Sequence, residues 1–185
     1  MASFKNTNLQ QIAKKLIGCK KVIGIAGGDS KCAWVKSIGA DECLNYKSPT
    51  FRKDLKAATP NYADVYFDNV GGEILDMMLP RMQQGGVVAV CGAIAAYNST
   101  DGLHLRNWFE VISMRLQLKG FVLTDFLAAG KAKDTVMELA SAAKQGKLAI
   151  GDENETVVDA KFEDVPKTWL KLFEGGNTGK LLTKL

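Results

Sequence analysis

Apolar runs and helical patterns alternate along the chain. "KKVIGIA" (20–26) is a continuous β-rich run of the kind buried on both faces of a parallel sheet. "DSKCAWVKSIGA" (29–40) follows as a helix with Ala33, Trp34 and Ile38 on one side and Gly39 at its stop. "ECLNY" (42–46) predicts a short strand. "SPTFRKDLKAA" (48–58) predicts a helix with Pro49 in its first turn and Phe51 and Leu55 on one face. The order then repeats, with strands over 63–70, 86–93, 116–123, 154–162 and 179–185, and helices over 73–82, 105–116, 133–148 and 163–175. Such alternation predicts βαβ units and a doubly wound, mostly parallel sheet with helices on both faces. We expect one α/β domain over residues 1–185. The exception is "LQQIAKKLIG" (9–18), a helical stretch ahead of the first strong strand. A doubly wound fold places a strand and a glycine-rich turn before such a helix, and only eight residues, mostly polar, stand there.

Composition narrows the classes of function. The chain is 46% apolar and 24% charged, ordinary usage for a globular domain. Its net charge of +4 is spread without a run of five basic residues, so no nucleic-acid or membrane footprint is expected. The opening "MASFKNTNLQQ" has no apolar h-region, and no stretch reaches the ~18 apolar residues of a membrane span. A soluble, cytoplasmic protein is expected. Cys19, Cys32, Cys43 and Cys91 form no C-x-x-C pair, and His104 is the single histidine, so no metal site is expected and the thiols read as reduced. His104 has no nucleophile motif beside it and reads as a surface or capping residue.

Four glycine-marked stretches carry the candidate chemistry. In "VIGIAGGDSK" (22–31) a strand runs into Gly27–Gly28 and opens a helix. The spacing is not the G-x-G-x-x-G of a pyrophosphate loop. It suits the second turn of a dinucleotide fold, where an acid bonds a free ribose 2′-hydroxyl and a basic residue takes a 2′-phosphate. Both Asp29 and Lys31 are present, and each also fits a bland role, as N-cap and as solvated first-turn lysine. In "VYFDNVGGEILD" (65–76) a strand ends at Asp68–Asn69, so Asn69 and Val70 sit at the sheet's carboxyl edge, where ligands bind, or cap a turn. In "VVAVCGAIAAYN" (87–98), Cys91 and Gly92 permit close approach of a flat ring, and Tyr97 offers a phenol to a carbonyl gaining negative charge, or is a surface loop residue. In "FEGGNTGKLL" (173–182), Gly175–Gly176 end a helix and Asn177 suits a left-handed turn or reaches a ligand.

Taken in order, "GIAGGDSKCAWVKSIGADECLNYKS", "DVYFDNVGGEILD", "VVAVCGAIAAYN", "KGFVLTDF" and "LFEGGNTGKL" resemble the cofactor domain of the zinc-independent medium-chain dehydrogenases/reductases. Within that family they are most similar to the branch of prostaglandin reductases and NADP-dependent alkenal double-bond reductases. The resemblance runs from about Gln10 to the C-terminus. It implies a Rossmann-like fold, NADP(H) as cofactor, and hydride transfer to the β-carbon of an α,β-unsaturated aldehyde or ketone. It further implies that Lys31, in the turn with Gly27, binds the 2′-phosphate and that Tyr46 packs on the adenosine phosphate side. Asn69, Cys91, Gly92 and Ala93 would flank the cofactor. Phe121, Val122 and Leu123 would lie along the nicotinamide, Asn177 would contact the cofactor, and Tyr97 would face the substrate.

The sequence also departs from that family. The A-x-x-G-x-x-G turn and first strand should precede "QIAKKLIG", where "MASFKNTNLQ" stands, and no GroES-like substrate domain is expected within residues 1–185. The expected fold therefore lacks its first strand, and the loss of helix-terminal N–H groups should weaken pyrophosphate binding. Three readings follow: an NADP-dependent alkenal reductase by family; a catalytically incompetent remnant that binds nucleotide weakly or associates through the edge strand "LQLKGFVL", as in a homodimer; and, through Asp29, another Rossmann-like binder such as a nucleoside-methyl-donor enzyme.

Overall fold

The computed structural model describes residues 7–97, 102–151, 154–174, 177 and 179–185. The polar opening residues 1–6 and the helix stop expected at Gly175–Gly176 lie outside the described residues. The chain divides into two compact units, Met1–Ser48 with Lys133–Leu185, and Pro49–Ala132. Every strand pairing among the described residues is parallel.

In the first unit, α1 (Thr7–Gln11) runs on through a π-helical turn, Ile12–Leu16, and leads to β1 (Ile23–Ala26), α2 (Asp29–Ser37) and β2 (Glu42–Asn45). β1 and β2 pair from Ile23↔Glu42 to Ala26↔Asn45. Gly24 lets α2 lie close on this pair. A Cβ there would stand 2.6 Å from the Val35 Cγ1 and 3.2 Å from the Cys43 sulfur. The cluster beneath is built from small side chains, Ala26, Cys32, Val35 and Ala40. Gln11 is fully buried and satisfied as a strand partner would be: Ala149 N–H donates to its Oε1 (2.7 Å) and its Nε2 donates to the Ala149 carbonyl (3.2 Å). The unit closes with α7 (Ala132–Lys144), β6 (Glu155–Asp159), α8 (Val165–Glu174) and β7 (Lys180–Lys184), β6 pairing β7.

The second unit holds α3 (Phe51–Ala58), β3 (Ala63–Asp68), α4 (Gly72–Met78), β4 (Met82–Val90), α5 (Phe109–Ser113), β5 (Gln117–Gly120) and α6 (Leu123–Ala128), with strand order β3-β4-β5. Phe51, Leu55 and Ala58 line the buried face of α3 at helical spacing. Leu79, Met82 and Val88 are wholly buried, each worth roughly 1.5–3 kcal/mol against exposure.

Several elements differ from the periodicity reading. The helix expected over 73–82 ends at Met78, since Pro80 has no N–H to continue it, and a 3₁₀ turn, Leu79–Arg81, hands over to β4. The strand expected to 93 stops at Val90 and the one expected to 123 stops at Gly120, so residues 91–93 and 121–123 are rim rather than sheet. α6 has no counterpart in that reading. Gly28, not Asp29, is the N-cap of α2.

Candidate functional site

The first unit brings together the turn after β1 and the segment after β2. Gly27 is buried against Tyr46: a Cβ on it would stand 2.8 Å from the phenol oxygen, so only glycine lets the ring lie there. The Tyr46 N–H donates to the Ala26 carbonyl (3.0 Å), and burial pushes its phenol pKa up. Gly28 has φ 109°, a conformation open to glycine, and its N–H donates to Asn45 Oδ1 (2.9 Å). Lys31 stands in the first turn of α2. Its pKa is lowered, first by partial burial and then by the charge of Lys47. Two cations held this near one another favour an anion between them. Asp29 makes no cap and instead accepts from Asn45 Nδ2 (2.8 Å).

The second unit builds a rim at the carboxyl ends of β3 and β4. Asp68 is wholly buried. Its carboxylate accepts from Val70 N–H (3.0 Å), Gly71 N–H (3.0 and 3.1 Å) and the Tyr66 hydroxyl (3.1 Å). Its carbonyl accepts from Cys91 (2.8 Å) and Gly92 (3.3 Å), and the Val70 carbonyl from Ala95 (2.9 Å). Cys91 and Gly92 are therefore bonded through the backbone to the end of β3, with Asn69 following Asp68 and Ala93 following Gly92 along the chain. A Cβ on Gly92 would come within 3.0 Å of the Asn69 carbonyl oxygen. Burial and the Asp68 carboxylate together push the Tyr66 phenol well above its usual range.

Tyr97 is 65% exposed, and its oxygen accepts the Ala93 N–H at 3.3 Å. The phenol proton is left to donate outward. Phe121 joins the same rim through its N–H to the Val90 carbonyl (3.3 Å) and stacks edge-on with Phe67 at 5.9 Å, while Val122 and Leu123 are exposed at the start of α6. Asn177 lies in the first unit, buried, with Nδ2 donating to the Gly179 carbonyl (2.9 Å), as in a turn. His104 is exposed.

The structure thus groups Gly27, Lys31 and Tyr46 in one unit and Asn69, Cys91, Gly92, Ala93, Tyr97 and Phe121 in the other. Sequence reasoning missed Asn45 and Lys47. Their signal was present in "LNYK": an Asn at a strand end faces the free N–H groups of a glycine turn on the neighbouring strand.

Residues 7–144 match the model of a family described as zinc-binding dehydrogenase. Bovine (Bos taurus) prostaglandin reductase 1 is 39% identical over 176 residues, 94% of this chain and 51% of that protein. The NADPH-dependent curcumin reductase of Escherichia coli K12 is 31% identical over 178 residues, 92% of this chain and 50% of that protein. The crystal structure of CurA from Vibrio vulnificus in complex with NADPH superposes with a TM-score of 0.84 at 32% identity, covering 96% of this chain and 52% of that one. The chain spans about half the length of these relatives. The fold is Rossmann-like, parallel strands flanked by helices. Among the described residues no three His, Cys, Asp or Glu side chains gather as metal ligands. Nor is any helix among them long and apolar enough to cross a membrane.

Proposed function

We propose that this chain, which belongs to the zinc-binding dehydrogenase family, binds NADP(H) and serves an oxidoreductase that reduces the C=C bond of α,β-unsaturated aldehydes or ketones. The observation that carries the reading is Lys31 in the first turn of α2, with Lys47 after β2 near enough for its charge to act on it, beside a glycine-backed Tyr46. The NADPH dependence of the E. coli curcumin reductase and the NADPH bound in V. vulnificus CurA support it. NADPH, when bound, supplies the hydride that reaches the β-carbon. Lys31 and Lys47 hold the 2′-phosphate, and Tyr46 with Gly27 packs the adenosine side. Asn69, Cys91, Gly92 and Ala93 flank the cofactor with little side-chain bulk. Phe121, Val122 and Leu123 lie along the nicotinamide, and Asn177 adds a contact. Tyr97 donates its phenol hydrogen to the substrate oxygen as that oxygen gains charge.

The same reading extends to place and assembly. The cysteines are free thiols, which suits a cytoplasmic protein. β5 pairs with β4 along one side among the described residues, which suits a second copy adding at its other edge in a homodimer.

The test is NADPH oxidation with a short enal or enone. Tyr97→Phe should lower kcat/KM about 100-fold, the usual effect of one lost oxyanion donor, with NADPH affinity unchanged. Consumption equal to a protein-free blank, with NADPH still quenching tryptophan fluorescence, would leave a nucleotide-binding module without turnover.

A further inference from the structure

We infer that Asn45 sets the cofactor preference of the β1–α2 turn: by tying down Asp29, it leaves Lys31 and Lys47 as the charges an adenosine ribose meets. The inference rests on the dinucleotide reading above. Asn45 is the last residue of β2. Its Oδ1 accepts two backbone donors, Gly28 N–H at 2.9 Å and Lys47 N–H at 3.0 Å. Two donors on one atom fix which end of the amide is oxygen. Nδ2 must then face the other way, where it donates to Asp29 Oδ1 at 2.8 Å.

One side chain thus joins three things. It shapes the glycine turn after β1 and places the backbone of Lys47. It also anchors the acid of "GGDSK" to the end of β2. That acid is the turn's one feature favouring a cofactor without a 2′-phosphate, because a carboxylate there accepts from the ribose 2′-hydroxyl and repels a phosphate. Bonded to Asn45, Asp29 has one oxygen occupied and its position fixed. Lys47, placed by the same amide, stands close enough to Lys31 for their charges to repel. A dianionic phosphate relieves that repulsion, and a neutral hydroxyl does not. Asn45 is accordingly a positioning residue, acting through Asp29 and Lys47.

The experiment titrates the full chain with NADPH and with NADH, read by tryptophan fluorescence. The variants are Asn45→Ala, Asn45→Asp, Asp29→Asn and the double variant Asn45→Asp/Asp29→Asn. Asn45→Asp keeps acceptors for Gly28 and Lys47, so the turn is preserved, but it cannot donate to Asp29 and brings a like charge against it. Its NADPH-over-NADH preference should fall about tenfold, the size of one charge-assisted hydrogen bond. Asn45→Ala should lose several-fold. The double variant restores a donor–acceptor pair at unchanged net charge, and should return the preference to within about threefold of the parent. A residue that merely stabilises the turn would weaken both dinucleotides alike and leave the ratio unmoved. A parent chain that prefers NADPH, with an unchanged ratio in Asn45→Asp or no recovery in the double variant, overturns the inference alone. A parent chain that binds neither dinucleotide, or both equally, overturns the dinucleotide reading and the inference with it.

Discussion

The candidate residues of the two units are held in opposite ways. In the first unit the turn is set by side chains near the surface: an amide on two N–H groups, a carboxylate on that amide, and two lysines in mutual repulsion. The packing beneath is of small residues, with Gly24 admitting Val35. In the second unit the rim is set by the backbone around one wholly buried carboxylate, over a core of larger side chains, Leu79, Met82 and Val88. The first arrangement presents charge and can change it one residue at a time. The second presents shape, and its residues cannot be altered singly without disturbing neighbours. A phosphate subsite calls for the former, and a surface on which a flat ring must sit at fixed height calls for the latter.

The contrast breaks most sharply at Asp68. Removing its carboxylate leaves the buried Gly71 N–H and the half-buried Val70 N–H and Tyr66 hydroxyl without their partner. Asp68→Ala should cost about 3–4 kcal/mol of unfolding free energy, since each buried donor left unmade costs about 1–3 kcal/mol and some will find water. Urea denaturation measures it. A loss under about 1 kcal/mol would mean that the rim is held by backbone bonds and glycine packing alone. On the other side, Lys31→Met should leave stability nearly unchanged, because it removes a charge that burial and Lys47 both disfavour. NADPH affinity should fall about 10- to 30-fold, as for one charge-assisted contact, and NADH affinity should stay level. Equal loss for both dinucleotides would remove Lys31 from the 2′-phosphate subsite.

The same contrast explains what was legible in the sequence. Strand and helix order, the glycine turns and the apolar face of α3 follow from period and punctuation, which depend on neighbours along the chain; the face of α2 does not, because Cys32 and Val35 turn inward under Gly24 while Ala33 is exposed. Lys31 and Asp29 could be seen in "GGDSK" but not ranked, because the residue that separates their roles, Asn45, comes from the next strand. Asp68 was visible only as a turn residue. Its full burial was not visible, nor that its carbonyl takes the N–H groups of Cys91 and Gly92, which lie far along the chain. α6 went unread because "LTDFLA" is short, lacks a side-chain cap and follows a strand whose apolar run continues three residues past the last ladder bond at Gly120.

The smallest effect is one of pH, and it tests the first unit's turn. Lys31 in the free chain has a pKa below 10.5, by partial burial first and Lys47 second. A bound 2′-phosphate supplies an opposite charge and raises that pKa, so the complex holds a proton that the free chain has begun to release. NADPH affinity should therefore start to fall as pH rises toward 10.5, earlier than an ordinary lysine would cause. NADH affinity should show no such onset, nor should NADPH affinity in Lys31→Met. Folding runs the other way. Between the lowered pKa and 10.5 the unfolded chain binds more protons at this position than the folded one, so Lys31 makes stability rise with pH in that window. Tyr66 opposes this above its usual phenol range near 10, where the unfolded phenol ionises and the folded one, raised by burial and Asp68, does not. A parallel decline of NADPH and NADH affinity as pH rises toward 10.5 would mean that general loss of positive charge, rather than one lysine at one phosphate, governs binding; a decline confined to NADPH assigns the first unit's turn to the 2′-phosphate.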